Sequence, residues 1–149
     1  MTTATRPYRP LLDRLNGLGL RPTRQRLGLA RLLFEGHDRH VTAEQLHGEA
    51  IAADLAVSLA TVYNTLNQFT AAGLLREVVV EAGKSYFDTN TSDHHHFFLE
   101  DAGRLVDIPA DHLMLRSLPS APDGTRIARV DVIVRLIEAP DAPPPTTAA

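Results

Sequence analysis

Cysteine is absent from all 149 residues. Its absence excludes a disulfide framework, a cysteine nucleophile and any thiolate-ligated zinc or iron–sulfur site. Tryptophan is also missing, and aromatic residues make up only 5% of the chain. No apolar run approaches the roughly 20 residues that a membrane span needs, and MTTATRPYRP lacks the apolar core of a signal peptide. The expectation is a soluble, cytoplasmic chain. With 44% hydrophobic and 22% charged residues, the composition is globular, with room for one ordinary domain or two small ones.

The net charge of −3 conceals an asymmetry. Residues 1–31 carry seven arginines against the single acid Asp13, whereas residues 71–149 carry seven bases against twelve acids. A basic N-terminal face and an acidic C-terminal half imply two jobs, one toward a polyanion and one toward cations.

Leu11, Leu12, Leu15 and Leu18 recur at helical spacing until Gly17 and Gly19 end a first helix. Thr23 is positioned as the N-cap of a second helix carrying Leu27, Ala30, Leu33 and Phe34, which stops near Gly36. Thr42-Ala-Glu-Gln reads as a capping box, opening a third helix with Ala43, Leu46 and Ala50 inward. Ser58 opens a fourth, with Leu59, Val62, Leu66 and Phe69 inward and Gly73 as terminator. A hairpin follows, Leu74–Val80 and Ser85–Asp88, and then a polar hinge at Asn90–Asp93. Beyond it, strands are expected at His95–Leu99 and Leu105–Ile108, a helix from Pro109 to about Leu118, and a long strand over Arg126–Glu138. The tail PDAPPPTTAA is expected to be disordered. The fold class is therefore α+β: a winged-helix DNA-binding domain over 1–89, a small α/β dimerisation domain over 90–139, and a tail over 140–149. One helix cannot cover both faces of the second domain's sheet, so pairing with a second copy is the economical solution.

Two constellations carry chemistry. The fourth helix turns Ala60, Thr61, Asn64 and Gln68 away from its apolar stripe, with Tyr63 at the border, and residues 58–75 contain no charge. A small, polar, uncharged face suits a helix entering the DNA major groove: Asn and Gln bond adenine bidentately, and Tyr reaches a phosphate or a thymine methyl. Arg21, Thr23, Arg24 and Arg26 lie at the edge of this unit as phosphate or minor-groove contacts. The plain alternative is a solvated face, which ordinarily carries Lys and Glu.

The second constellation is His94-His95-His96. Strand alternation puts His94 and His96 on one side and His95 on the other. The H-x-H pair is an imidazole clamp for a borderline divalent metal, with Asp88, Asp107 and His40 able to complete it. The run also suits haem, which takes one or two axial imidazoles.

Leu18-Gly-Leu-Arg-Pro-Thr-Arg-Gln-Arg, His40-Val-Thr-Ala-Glu-Gln-Leu, Ala60-Thr-Val-Tyr-Asn-Thr-Leu-Asn-Gln-Phe, Gly73-Leu and Gly83-Lys-Ser-Tyr-Phe-Asp occur in this order. Over roughly residues 10–138 they make the chain resemble the ferric uptake regulator family. The resemblance implies a homodimeric, metal-responsive repressor that binds double-stranded operator DNA, with Fe, Mn or Zn in a site bridging the domains on His40, Asp88, His94, His96 and Asp107. The family's CxxC pairs are missing, so its structural zinc site is excluded. Its second site finds only Met114 and Asp131 nearby, leaving Asp93, His95 and His112 as the residues around which another site is conceivable. Asp88-Thr-Asn-Thr-Ser-Asp-His-His-His-Phe-Phe, Asp107-Ile-Pro and Ala128-Arg-Val-Asp-Val look most like the iron response regulator branch of alphaproteobacteria. That likeness implies haem on His94, His95 and His96, with haem disfavouring DNA binding. No Cys-Pro haem motif exists here, and Asn64 stands where other branches often have Arg, which implies a different operator preference. A plain divalent-metal-activated iron or zinc uptake repressor is the alternative. A small metalloenzyme using the histidine run is the distant one, and against it the chain lacks HExxH.

Overall fold

The structure is a computed structural model that describes residues 8–81 and 83–140; the expected tail lies, from residue 141, outside them. The chain divides into two compact units between Ser92 and Asp93.

The first unit contains α1 (Tyr8–Gly17), α2 (Arg24–Phe34), β1 (His40–Val41), α3 (Ala43–Ala52), α4 (Leu59–Ala71), β2 (Arg76–Glu81) and β3 (Lys84–Asp88). Each of the last three helices starts where a hydroxyl can occupy an orphan amide. Thr23 accepts from the Arg26 amide, and Ser58 accepts from the Thr61 amide. Thr42 and Gln45 complete a reciprocal capping box. At the far end of α4, Gly73 adopts φ +81°. The Gly73 amide then reaches Thr70 O, and the Leu74 amide reaches Phe69 O, a Schellman closure that a Cβ would strain. Leu15, Leu29, Leu33, Leu46, Val62, Leu66 and Phe69 are fully buried and form the core. In α4 the buried stripe is Val62, Thr65, Leu66 and Phe69. Leu59, expected inward, is 36% exposed. It lies one turn before the stripe, and Thr65 takes the inward position instead.

The sheet of this unit has the order β1-β3-β2, all antiparallel. The sequence reading contained no β1, yet its register matters: His40 pairs with Asp88.

The second unit contains β4 (His95–Leu99), β5 (Arg104–Ile108) and β6 (Ile133–Leu136) in the order β5-β4-β6. β4 runs antiparallel to β5 and parallel to β6. Two expectations fail here. The helix from Pro109 to Leu118 does not form, and the strand over Arg126–Glu138 contracts to Ile133–Leu136. A ten-residue helix draws its stability from an apolar face that packs. Met114 is 88% exposed, and Leu115 and Leu118 are about half exposed, so that face stays uncovered among the described residues.

Candidate metal centre and nucleic-acid face

Thr42 is extended where it caps α3, and His40 and Val41 just before it pair with the end of β3. That pairing brings His40 Nε2 to 3.1 Å from Asp88 Oδ2. The Asp88 side chain is 1% exposed, and its other oxygen accepts from the Asn90 amide at 2.8 Å. One carboxylate oxygen is thus held by the backbone and the other faces the imidazole. His40 is itself anchored through its neighbour. Arg39 makes a bidentate pair with Glu49 of α3, at 2.7 and 2.6 Å. The Arg39 amide donates to Thr89 Oγ1, and the Thr89 amide donates to Arg39 O. The hydrogen bond that Arg39 donates to Glu49, opposed by partial burial, keeps the Arg39 pKa above its usual value. The sequence reading did not include Arg39, Glu49 or Thr89, because their pairing spans 10 to 50 residues and has no spacing signature.

In the second unit His94 and His96 emerge on one side at the start of β4, with ring centroids 4.4 Å apart. His96 pairs in register with Asp107 of β5. Asp107 Oδ1 lies 3.1 Å from His94 Nε2 and 3.4 Å from His96 Nε2. Two imidazole nitrogens converging on one carboxylate oxygen form a donor set that suits Zn²⁺, Mn²⁺ or Fe²⁺ once the imidazole protons are released. His95 does other work: its Nδ1 accepts from the Val132 amide at 3.0 Å, tying β4 to the approach of β6.

The residues considered for a further site are apart. The His112 side chain is 66% exposed, with its neighbour Asp111 at 3.8 Å, and Asp131 pairs with Arg129 at 2.6 Å. Among the described residues, Asp93, His95 and His112 form no converging group of three.

On α4, Ala60, Tyr63, Asn64, Asn67 and Gln68 are exposed and Thr61 is half-buried. Asn67 belongs to this polar face as much as Asn64 does, and the sequence reading omitted it. Arg21, Thr23 and Arg24 are exposed and Arg26 is half-buried. Arg26 bridges two elements: its Nε donates to Gln68 Oε1 at 3.1 Å, and its Nη1 donates to Arg21 O at 3.0 Å. A groove of about 220 Å³ runs between α2 and α4 past Arg26, Thr61, Asn64 and Gln68. The Tyr63 hydroxyl donates to Glu44 Oε1 at 2.6 Å. That bond, with smaller help from the Glu44 backbone, lowers the Glu44 carboxyl pKa, and it raises the Tyr63 phenol pKa.

Residues 17–134 match the ferric uptake regulator family. The chain is 36% identical over 115 residues to the ferric uptake regulation protein of Escherichia coli strain K12, covering 76% of this chain and 78% of that one. It is 37% identical over 103 residues to the Klebsiella pneumoniae protein of the same name, covering 68% of this chain and 66% of that one. Its fold is similar to the crystal structure of the Vibrio cholerae ferric uptake regulator (TM-score 0.67, 24% identity, 85% of this chain and 98% of that one). It is also similar to the Pseudomonas aeruginosa ferric uptake regulator with manganese (TM-score 0.64, 24% identity, 85% and 96%). The four helices, the two small sheets and the histidine–aspartate clusters thus belong to a DNA- and metal-binding transcription regulator and not to an enzyme. The chain is a member of the ferric uptake regulator family. No helix among its described residues is long and apolar enough to cross a membrane.

Proposed function

We propose that this chain is a cytoplasmic, homodimeric repressor of iron or haem homeostasis genes whose hold on operator DNA is set by a divalent metal. The supporting observation is the partition of ligands: the helix-bearing unit offers the pair His40–Asp88, and the strand-bearing unit offers His94, His96 and Asp107. Two ligands are too few and three leave an open sphere, whereas five suit Fe²⁺, Mn²⁺ or Zn²⁺. If both sets held one ion, it would restrict how the units move and would link metal and DNA affinities by the same factor in both directions. The helix unit acts as a winged helix, with α4 in the major groove and the β2–β3 hairpin as wing. The uncharged face of Ala60, Thr61, Tyr63 and Asn64 reads base edges, while Arg21, Thr23, Arg24 and Arg26 meet the backbone.

The test is operator binding, on a duplex selected from a random library by the full-length protein with Mn²⁺. Asn64→Ala is expected to weaken specific binding by about 1–3 kcal/mol. Arg21→Ala is expected to reduce the salt slope by roughly one unit. Wild-type binding by both variants would contradict the reading.

The triple histidine favours a second reading, haem sensing in the manner of the iron response regulator branch. Haem would supply an iron that takes imidazole nitrogen, and His94, His95 and His96 would be the residues to hold it in a chain without thiolates. Engaging His94 or His96 in this way would withdraw it from Asp107 and from the divalent site, and operator affinity would fall. The expected spectrum reports nitrogen ligation, and replacing all three histidines with alanine abolishes the haem response. A haem titration that leaves operator affinity unchanged returns the account to the plain divalent-metal repressor.

A further inference from the structure

We infer that Glu44 is the positioning residue of Tyr63 and a determinant of DNA selectivity, an inference that rests on α4 being the DNA-reading helix. The two residues are nineteen apart in sequence and sit on different helices: Glu44 is in the first turn of α3, and Tyr63 is on the exposed face of α4. Their 2.6 Å contact falls in the short range of hydroxyl-to-carboxylate hydrogen bonds.

A carboxylate here is costly for a polyanion binder. Residues 58–75 contain no charge of either sign, so Glu44 brings a negative charge to a face otherwise free of it. That charge opposes every DNA sequence about equally, because it acts on the phosphates. It therefore weakens specific and non-specific binding alike and leaves the ratio between them unchanged, so any gain in selectivity comes from the hydrogen bond. With its hydroxyl committed to Glu44, Tyr63 loses its donor for a phosphate oxygen. Its ring, fixed at both ends, is held toward the bases. Glu44 thus suppresses the sequence-blind contribution of Tyr63 and orders the sequence-reading one. The plain competing role for Glu44 is a favourable charge at the α3 N-terminus, and such a charge would leave DNA selectivity untouched.

The experiment compares Kd for the library-selected duplex with Kd for a scrambled duplex, with Mn²⁺ present, across wild type, Glu44→Ala, Glu44→Gln, Tyr63→Phe, Glu44→Ala/Tyr63→Phe and Asn64→Ala. Thermal unfolding of each variant verifies that it is folded. The selectivity ratio is expected to fall about fivefold to tenfold in Glu44→Ala and in Tyr63→Phe, with no further fall in the double variant, because the two side chains act as one unit. Glu44→Gln keeps an acceptor but loses the charge, so both duplexes bind more tightly and the ratio stays near wild type. A ratio within twofold of wild type in Glu44→Ala, or additive losses in the double variant, overturns the inference. If Asn64→Ala also leaves selected-site affinity unchanged, the DNA-reading role of α4 falls with it; if Asn64→Ala weakens binding while the cycle is additive, only the role of Glu44 falls.

Discussion

At the scale of single residues, the carboxylates do most of the arranging. Asp88 gives one oxygen to the Asn90 amide and the other to His40, so it is oriented by the backbone before any cation arrives. Asp107 offers one oxygen to two imidazoles. Glu44 receives the phenol of Tyr63, and the titration of Tyr63 reports on that bond. The Glu44 hydrogen bond raises the Tyr63 pKa above its ordinary value. The stabilisation is therefore complete below the unfolded-state pKa of tyrosine and is lost as pH rises through the higher folded value. Glu44→Gln is expected to move the Tyr63 midpoint downward in an alkaline titration followed by ¹³Cζ-tyrosine NMR. An unmoved midpoint would mean that the contact does not persist in solution.

At the scale of elements, the helix starts could be read directly, because a cap is a local event: a hydroxyl and an amide three residues later. Thr23, Thr42 with Gln45, and Ser58 each behave that way. Thr42→Ala should cost about 1 kcal/mol in urea unfolding; an unchanged midpoint would show the box to be dispensable. The C-terminus of α3 held a detail that no motif announced. Asp54 occupies the left-handed region at φ +58°, with the Leu55 amide reaching Ala50 O and its own amide reaching Ile51 O. It takes the place glycine holds after α4. Asp54→Gly is expected to be neutral or stabilising, whereas Asp54→Val should lose roughly 1–2 kcal/mol. Equal midpoints for the two variants would refute the assignment. β1 escaped the sequence reading because a two-residue strand has no period. The helix over Pro109–Leu118 does not form because its signal, a leading proline, is local, whereas its stability is not. The candidate ligands were readable for a mixed reason. Strand alternation puts His94 and His96 on one side, but Asp107 joins them only through the β4–β5 register, and His40 reaches Asp88 only through β1.

At the scale of the molecule, the second unit leaves Met114, Leu115, Leu118, Ile127 and Ile137 exposed, a large apolar surface for a small three-stranded sheet. The proposed homodimer would bury it. Leu118→Asp with Met114→Asp is expected to shift sedimentation equilibrium toward monomer, and an unchanged dimer constant would place the interface elsewhere. The central claim, that the ligands of both units act on DNA through one metal, is tested most directly by fluorescence anisotropy on the library-selected duplex. Wild type, Asp88→Ala and His96→Ala are titrated with and without Mn²⁺. The account predicts that Mn²⁺ raises wild-type affinity about tenfold or more, within the ordinary range of allosteric coupling, and that each variant, one from each unit, loses that gain while keeping its metal-free affinity. If either variant retains the full Mn²⁺-dependent gain, the shared site is contradicted.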